Sequence, residues 1–167
     1  RLAPALWLPL LARLAAAGQV VLRGAVAHLP SHGAQLSATE ERIAQKVAPA
    51  LASAGFEGAW ARDLARDAGE PEPLVRTTLS RLARRGELHQ VVKDLFYPLP
   101  AMAQLAALAR QVGQAHHGVV LAAQFRDMTG LGRKRAIQIL EYFDRIGFTR
   151  RVADMHRLRG DCALFEV

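Results

Sequence analysis

The chain has 167 residues, half of them hydrophobic but only 6% aromatic, with a formal net charge of +7 and a sequence pI near 10.7. Such an Ala- and Leu-rich composition suits helices around modest cores, and the cation excess points to an anionic partner, nucleic acid ahead of acidic protein or membrane. The single cysteine, Cys162, excludes an intrachain disulfide and a zinc site built on several cysteines, as expected in a reducing compartment.

Residues 2–17 (LAPALWLPLLARLAAA) form an apolar run that is too short to span a bilayer and is interrupted by Pro4, Pro9 and Arg13. Without an initiating Met or a charged leader the run does not read as a targeting signal. The chain starts inside a helix-like pattern and is expected to be a fragment of something longer. Two β-prone runs follow, Val20 to Leu22 and Val26 to Leu29, and Pro30-Ser31-His32-Gly33 reads as a linker. Ser37 and Glu40 have capping-box spacing and open a helix to about Ala54, in which Pro49 should cause a kink. Residues 60–68 and 73–85 are expected to pair as helices around the turn Gly69-Glu70-Pro71. Strands around Leu88–Val92 and Leu95–Tyr97 follow and end at Pro98-Leu99-Pro100. The last third predicts a helix over 101–112, a loop over 114–118 and a helix over 122–128. Beyond the tight turn 129–132 come a helix over 133–146 and a hairpin around Phe148–Val152 and Leu158.

One punctuation recurs three times: an apolar helical stripe, a glycine stop, then β-prone residues. The stops are Gly18, Gly86 and Gly147, spaced 68 and 61 residues apart. That spacing is the size of a small helical domain carrying a hairpin. The expected fold class is therefore mainly α with short β-hairpins (α+β), arranged as tandem winged helices. The expected modules are a partial one at 1–35, a second at 36–100 and a terminal one at 101–167.

The charge is concentrated in the last of these. Residues 133–160 hold eight Lys/Arg (Arg133, Lys134, Arg135, Arg145, Arg150, Arg151, Arg157, Arg159) against Glu141, Asp144 and Asp154, a net +5. The second module follows the helix-dipole rule, with Glu70 and Glu72 beside Pro73. The terminal helix breaks it by opening on three cations, a local cost that a bound anion would reverse. Ala136, Ile137, Leu140 and Phe143 share the core face of this helix; Lys134, Gln138, Glu141 and Arg145 share the other. Contacts with nucleic acid are expected at the helix start and on Arg150, Arg151, Arg157 and Arg159, whereas the first module's helix, with only Arg13, reads as structural.

No Gly-rich loop ending in Lys-Ser or Lys-Thr is present, so no P-loop chemistry is encoded. His116-His117 lacks a third ligand at sensible spacing, His28 and His32 bracket Pro30 and share no helix face, and Cys162 has no partner marking it as a nucleophile. No enzyme activity, metal or cofactor is expected.

The stretch FRDMTGLGRKRAIQILEYFDRIGFTRRV (125–152) closely resembles the final winged-helix domain of the bacterial selenocysteine-specific elongation factors, SelB. LARLAAAGQVV, HLPSH and LARRGELHQVVKDLFYP resemble the preceding winged-helix modules of that family. The resemblance implies that a GTPase region and contacts with selenocysteinyl-tRNA and the ribosome lie N-terminal to this chain, in a cytoplasmic translation factor. It also implies that the C-terminal modules hold an mRNA hairpin, the selenocysteine insertion element (SECIS), beside an in-frame UGA. By position it assigns RNA contacts to Arg133, Lys134, Arg135, Arg150 and Arg151, with Arg157 and Arg159 following if the wing keeps its geometry. The family's wing turn is expected to be Gly-Asp, where this chain has Ala153-Asp154. The competing function is a DNA-binding regulator that lays helix 133–146 in a major groove and reads bases with Gln138 and Tyr142 or Arg145. A purely structural protein-interaction array would leave the +5 cluster unexplained.

Overall fold

The computed structural model describes residues 4–23, 26–29, 35–160, 162, 164 and 165; the expected linker over 30–33, with His32, lies outside the described residues. The N-terminal part contains helix α1 (Pro4–Ala16) and a two-stranded hairpin, β1 (Val21–Arg23) with β2 (Val26–His28). No helix among the described residues is long and apolar enough to cross a membrane.

Helix α2 (Ala38–Ser53) starts as its sequence dictates. The Glu40 N–H donates to Ser37 Oγ at 3.3 Å, and the Ser37 N–H donates back to Glu40 Oε2 at 2.9 Å. Ile43, Val47 and Leu51 give it one buried stripe. Pro49 lies within the continuous helix on its solvent side, where water can serve the carbonyl that loses its partner. Helices α3 (Ala61–Ala68) and α4 (Glu72–Arg84) meet at Gly69, whose φ of 64° is left-handed. Glu70 in this turn accepts from Lys46 Nζ at 2.7 Å and pairs with Arg42, which ties the turn to α2. These hydrogen bonds from Arg42 and Lys46 hold the Glu70 carboxyl down at about 2. Strands β4 (Leu88–Val92) and β5 (Leu95–Pro98) complete the unit.

Helix α5 (Leu99–Ala115) runs three residues beyond its expected end. Its buried stripe of Met102, Leu105, Ala106, Ala109 and Val112 continues through Gly113, which is a packing position and not a stop. A Cβ there would lie 2.4 Å from Leu158 Cδ1, so only glycine lets the last strand approach the helix. Helix α6 (Ala122–Thr129), helix α7 (Arg133–Ile146), and strands β7 (Thr149–Val152) and β8 (Met155–Leu158) fall close to their expected places.

Each larger sheet has a third strand that was not expected. β3 (Ala59–Trp60) pairs with β5 to give the order β3-β5-β4, and β6 (Val119–Val120) pairs with β8 to give β6-β8-β7, all antiparallel. Two-residue strands carry no alternation for a sequence pattern to register.

Two cores form. One lies among α2, α3, α4 and the sheet residues Leu88 and Phe96. The other joins Val91, Leu95 and Tyr97 of the earlier sheet to α5, Phe125, and the α7 residues Ala136, Ile139, Leu140, Tyr142 and Phe143. The second core therefore spans the last two winged helices, whereas the first lies within the earlier one alone.

The wing hairpin is regular, with Val152 opposite Met155 and Arg150 opposite Arg157, so the Ala153-Asp154 turn preserves the wing. Ala153 has a φ of 54°, a left-handed value that hairpin turns normally assign to Gly, Asn or Asp. Ala153→Gly or Ala153→Asn is expected to raise stability by about 0.5–1 kcal/mol, read as a higher urea midpoint at unchanged slope. An unchanged or lower midpoint for both would contradict strain at this turn.

Candidate nucleic-acid interface

The start of α7 is built to stay open. Gly130 (φ 70°) ends α6, Leu131 is buried as an anchor, and Gly132 is the N-cap, without a side-chain cap. The first turn contains no acid, and Arg133 and Lys134 are exposed. Free N–H groups, the positive end of the helix dipole and two exposed cations thus face the same solvent.

Arg135, on the next position, turns the other way. Its guanidinium carbon lies 5.4 Å from the Trp60 ring centroid and its Nε 3.5 Å from Glu57 Oε2, and the side chain is 15% exposed. It therefore joins α7 to the second module. Beside it, Tyr97 donates to the backbone oxygens of Phe56 and Glu57, each 3.0 Å away. Burial pushes the Tyr97 phenol up to about 12, so it remains a donor at neutral pH.

The side of α7 at Tyr142 is covered in the same way, while Arg145 reaches across to the second module from an exposed position. Tyr142 is buried, with Oη 2.7 Å from His89 Nδ1 of β4, and Arg145 donates to the carbonyl of Val91 while lying 5.1 Å over the Tyr142 ring. A DNA reading that needs Tyr142 in a major groove is incompatible with this packing, and Arg145, though exposed, is engaged with the Val91 carbonyl of the second module. Burial raises Tyr142 to about 12 and lowers His89 to about 4, so in the Nε2–H tautomer the phenol donates to a neutral imidazole.

The wing is braced against α7 by Asp144. Its Oδ1 accepts from Thr149 Oγ1 at 2.6 Å, and its Oδ2 lies 2.7 Å from His156 Nδ1; Thr149 and His156 are both buried. On the same side, Arg151 lies 3.6 Å from Glu141 and 3.8 Å from Asp154. On the opposite side Arg150 and Arg157 project side by side, both exposed; Arg157 Nη2 donates to the carbonyl of His117 at 3.3 Å. Arg159 is exposed beyond the end of β8. Because Glu141 is eight residues from Arg133, the Arg151 contact puts the wing about 12 Å along the axis from the helix start.

Of the seven cations expected at the site, Arg133, Lys134, Arg150, Arg151, Arg157 and Arg159 are thus exposed on the helix start and wing, and Arg135 is drawn into the module contact. Sequence reasoning missed the His89–Tyr142 pair and the Asp144 brace. His89 is 53 residues from Tyr142, and no local pattern marks such partners.

Fold and interface together define a tandem winged-helix protein with a basic terminal module. The model for "Elongation factor SelB, winged helix" matches residues 114–158, and that for "Selenocysteine-specific elongation factor, winged helix domain" matches residues 36–97. The selenocysteine-specific elongation factor of Escherichia coli K12 is 42% identical over 161 residues, 96% of this chain and 25% of that protein. The Haemophilus influenzae protein of the same name is 33% identical over 79% of this chain and 21% of its own length. Among solved structures, the mRNA-binding domain of E. coli SelB in complex with SECIS RNA superposes with a TM-score of 0.68 at 44% identity, covering 74% of this chain and 99% of that one. A bacterial selenocysteine-specific elongation factor at 18% identity shares the fold (TM-score 0.58; 90% of this chain, 23% of that one). The chain belongs to the family of selenocysteine-specific elongation factors, as part of their winged-helix region. It spans about a quarter of the length of the curated relatives it matches.

His89 generates a pH dependence with a definite sign. The native state holds it near 4 and the unfolded chain near 6.5, so the unfolded state binds the proton more readily and stability falls as pH drops from 6.5 to 4. By pH 4 the loss is expected to reach about 2–3 kcal/mol. Urea titrations at pH 7 and pH 4.5 should show this extra loss in the wild type and not in His89→Gln. Glu70 titrates in a lower window, from about 4.5 to 2, and is common to both. Parallel pH profiles for the two proteins would contradict the assignment.

Proposed function

We propose that this chain binds an mRNA hairpin of the SECIS class through its terminal winged helix. The carrying observation is the set of exposed cations on the start of α7 and on the wing, in a chain 44% identical to an mRNA-binding domain whose structure contains SECIS RNA. In this reading residues 1–35 are part of one winged helix, 36–100 a second and 101–167 the reader. GTP hydrolysis and contacts with selenocysteinyl-tRNA and the ribosome belong to the remaining three quarters of the relatives' length, and the setting is cytoplasmic translation.

The roles divide by geometry. Arg133 and Lys134 present a positive helix start to a phosphate or a loop edge. Arg150 and Arg157 hold backbone phosphates, Arg151 does so while partly neutralised by Glu141 and Asp154, and Arg159 is peripheral. Arg135 positions α7 on the second module. The A-form major groove excludes a helix, so RNA recognition by a helix start and wing does not need the covered middle of α7.

The test is a titration of the chain with a SECIS hairpin and with duplex DNA at equal salt; tighter binding of the DNA would sink the reading. With about four to six phosphates neutralised, log affinity should fall with log salt at a slope of roughly −3 to −5. A flat dependence would remove the basic cluster from the interface.

Arg150→Ala should weaken cognate and loop-mutated hairpins alike by about 1–3 kcal/mol. Lys93→Ala, on the exposed tip of the second module's hairpin, should leave binding unchanged. Equal losses from the two would mean that both modules share the site.

A further inference from the structure

The seam between the second module and α7 is not filled beside the His89–Tyr142 pair. A cleft of about 220 Å³ opens there, lined by Ser80 and Arg84 of α4, by His89 and by Tyr142 of α7. Ala83 and Gly86 leave this space, because neither has a side chain beyond Cβ. His89 is 4% exposed, and its Nδ1 is taken by the Tyr142 hydroxyl 2.7 Å away. When the phenol donates to Nδ1, the neutral ring carries its proton on Nε2, and that N–H has no partner among the described residues. Buried donors normally have an acceptor, so this one marks the cleft as a place for a ligand.

Charge sorts the occupants. No acid lines the cleft, and the acid nearest to it in sequence, Glu87, is paired with Arg85 at 2.8 Å. Arg84 has no ion pair among the described residues, and Ser80, one helical turn before it, adds a hydroxyl on the same face of α4. Arg145 places a second guanidinium 5.1 Å over the Tyr142 ring. Donors and positive charge without a carboxylate are what an oxyanion requires. The volume lies below that of drug-sized sites, which limits the occupant to an oxyanion on a short organic tail.

We propose that the seam cleft binds a small phosphate monoester, with the Arg84 guanidinium, the His89 Nε2–H and the Ser80 hydroxyl donating to the phosphate oxygens. A tetrahedral phosphate can take three converging donors at once, whereas a carboxylate offers only two oxygens. Leu88 lines the rest of the cleft beside Ala83 and gives the organic tail an apolar wall. Tyr142 is nine residues along α7 from Arg133, about 13 Å, so the cleft is separate from the helix start. The proposal does not depend on the RNA-binding reading. Arg84 and His89 belong to the second module and Tyr142 to α7, so an occupant bridges the two modules and stabilises their contact.

The experiment titrates the RNA-free chain, at neutral pH and constant ionic strength, with glycerol phosphate, inorganic phosphate and acetate. Binding is read on the ring nitrogens of His89 by NMR of isotope-labelled protein, with His89→Gln to assign the signal. A saturable shift at Nε2 is expected with both phosphates, at lower concentration for the ester, and none with acetate. Arg84→Gln should weaken the phosphates by about tenfold or more, Arg84→Lys by less, and Arg150→Ala on the wing not at all. Glycerol phosphate should also raise the urea midpoint of the wild type more than that of Arg84→Gln. Comparing the two proteins removes the general stabilisation that excluded phosphate gives any fold. No saturable His89 shift in the millimolar range, or an equal response to acetate, overturns the proposal. So does a phosphate response that survives Arg84→Gln at full strength or disappears in Arg150→Ala, since the anion would then sit on another basic surface.

Discussion

Everything about the terminal module follows from α7 being held on two sides. One side closes the module's own core through Ala136, Leu140 and Phe143; the other meets the preceding sheet through Tyr142 and His89, with Arg135 and Arg145 at either end. A helix packed on two faces has only its start and a narrow strip left for a ligand. Arg133 and Lys134 are at that start, exposed to solvent. The interface is mixed in character. Tyr142, Val91 and Leu95 supply apolar area, and the buried hydroxyl of Tyr142 is satisfied by the imidazole, which avoids the cost of an unpaired polar group.

The wing depends on a smaller device of the same kind. Asp144 serves both Thr149 and His156, so one carboxylate fixes both strands to the end of α7. Packing from behind adds to this: Gly113 admits Leu158 against α5, and Arg110 donates to the carbonyls of Leu164 and Phe165 while its guanidinium lies 5.1 Å from the Phe148 ring centroid. Phe165 in turn lies against His89, Phe143 and Phe148 and so touches residues of both modules. With the inner face spoken for, the outer arginines are what the hairpin has to offer.

Local chemistry was legible in the chain itself. The Ser37/Glu40 cap, the Gly69, Gly130 and Gly147 stops and the hairpin of Arg150 and Arg157 each rest on residues a few positions apart. The exposed cations of the helix start and wing followed from the same short-range patterns. What escaped was set by distant partners. Arg135 and Arg145 look like solvated cations in a helical repeat, and only the fold brings Trp60, Glu57 and Val91 to them. Tyr142 reads as a helix-face aromatic until His89 is placed opposite. The short strands β3 and β6 form because β5 and β8 need a partner on their second edge, a demand that two residues cannot announce.

The shared interior also orders events during synthesis. A ribosome releases Val91, Leu95 and Tyr97 well before Tyr142 and Phe143, and domains generally fold from the N-terminus as they emerge. The earlier sheet is then already formed when α7 leaves the exit tunnel, and it offers a preformed template on which the last winged helix assembles. Until that happens, the apolar side of the sheet at Val91 and Leu95 stands uncovered. A nascent chain whose earlier sheet has emerged while α7 is still in the tunnel is thus the state most exposed to aggregation and to capture by chaperones.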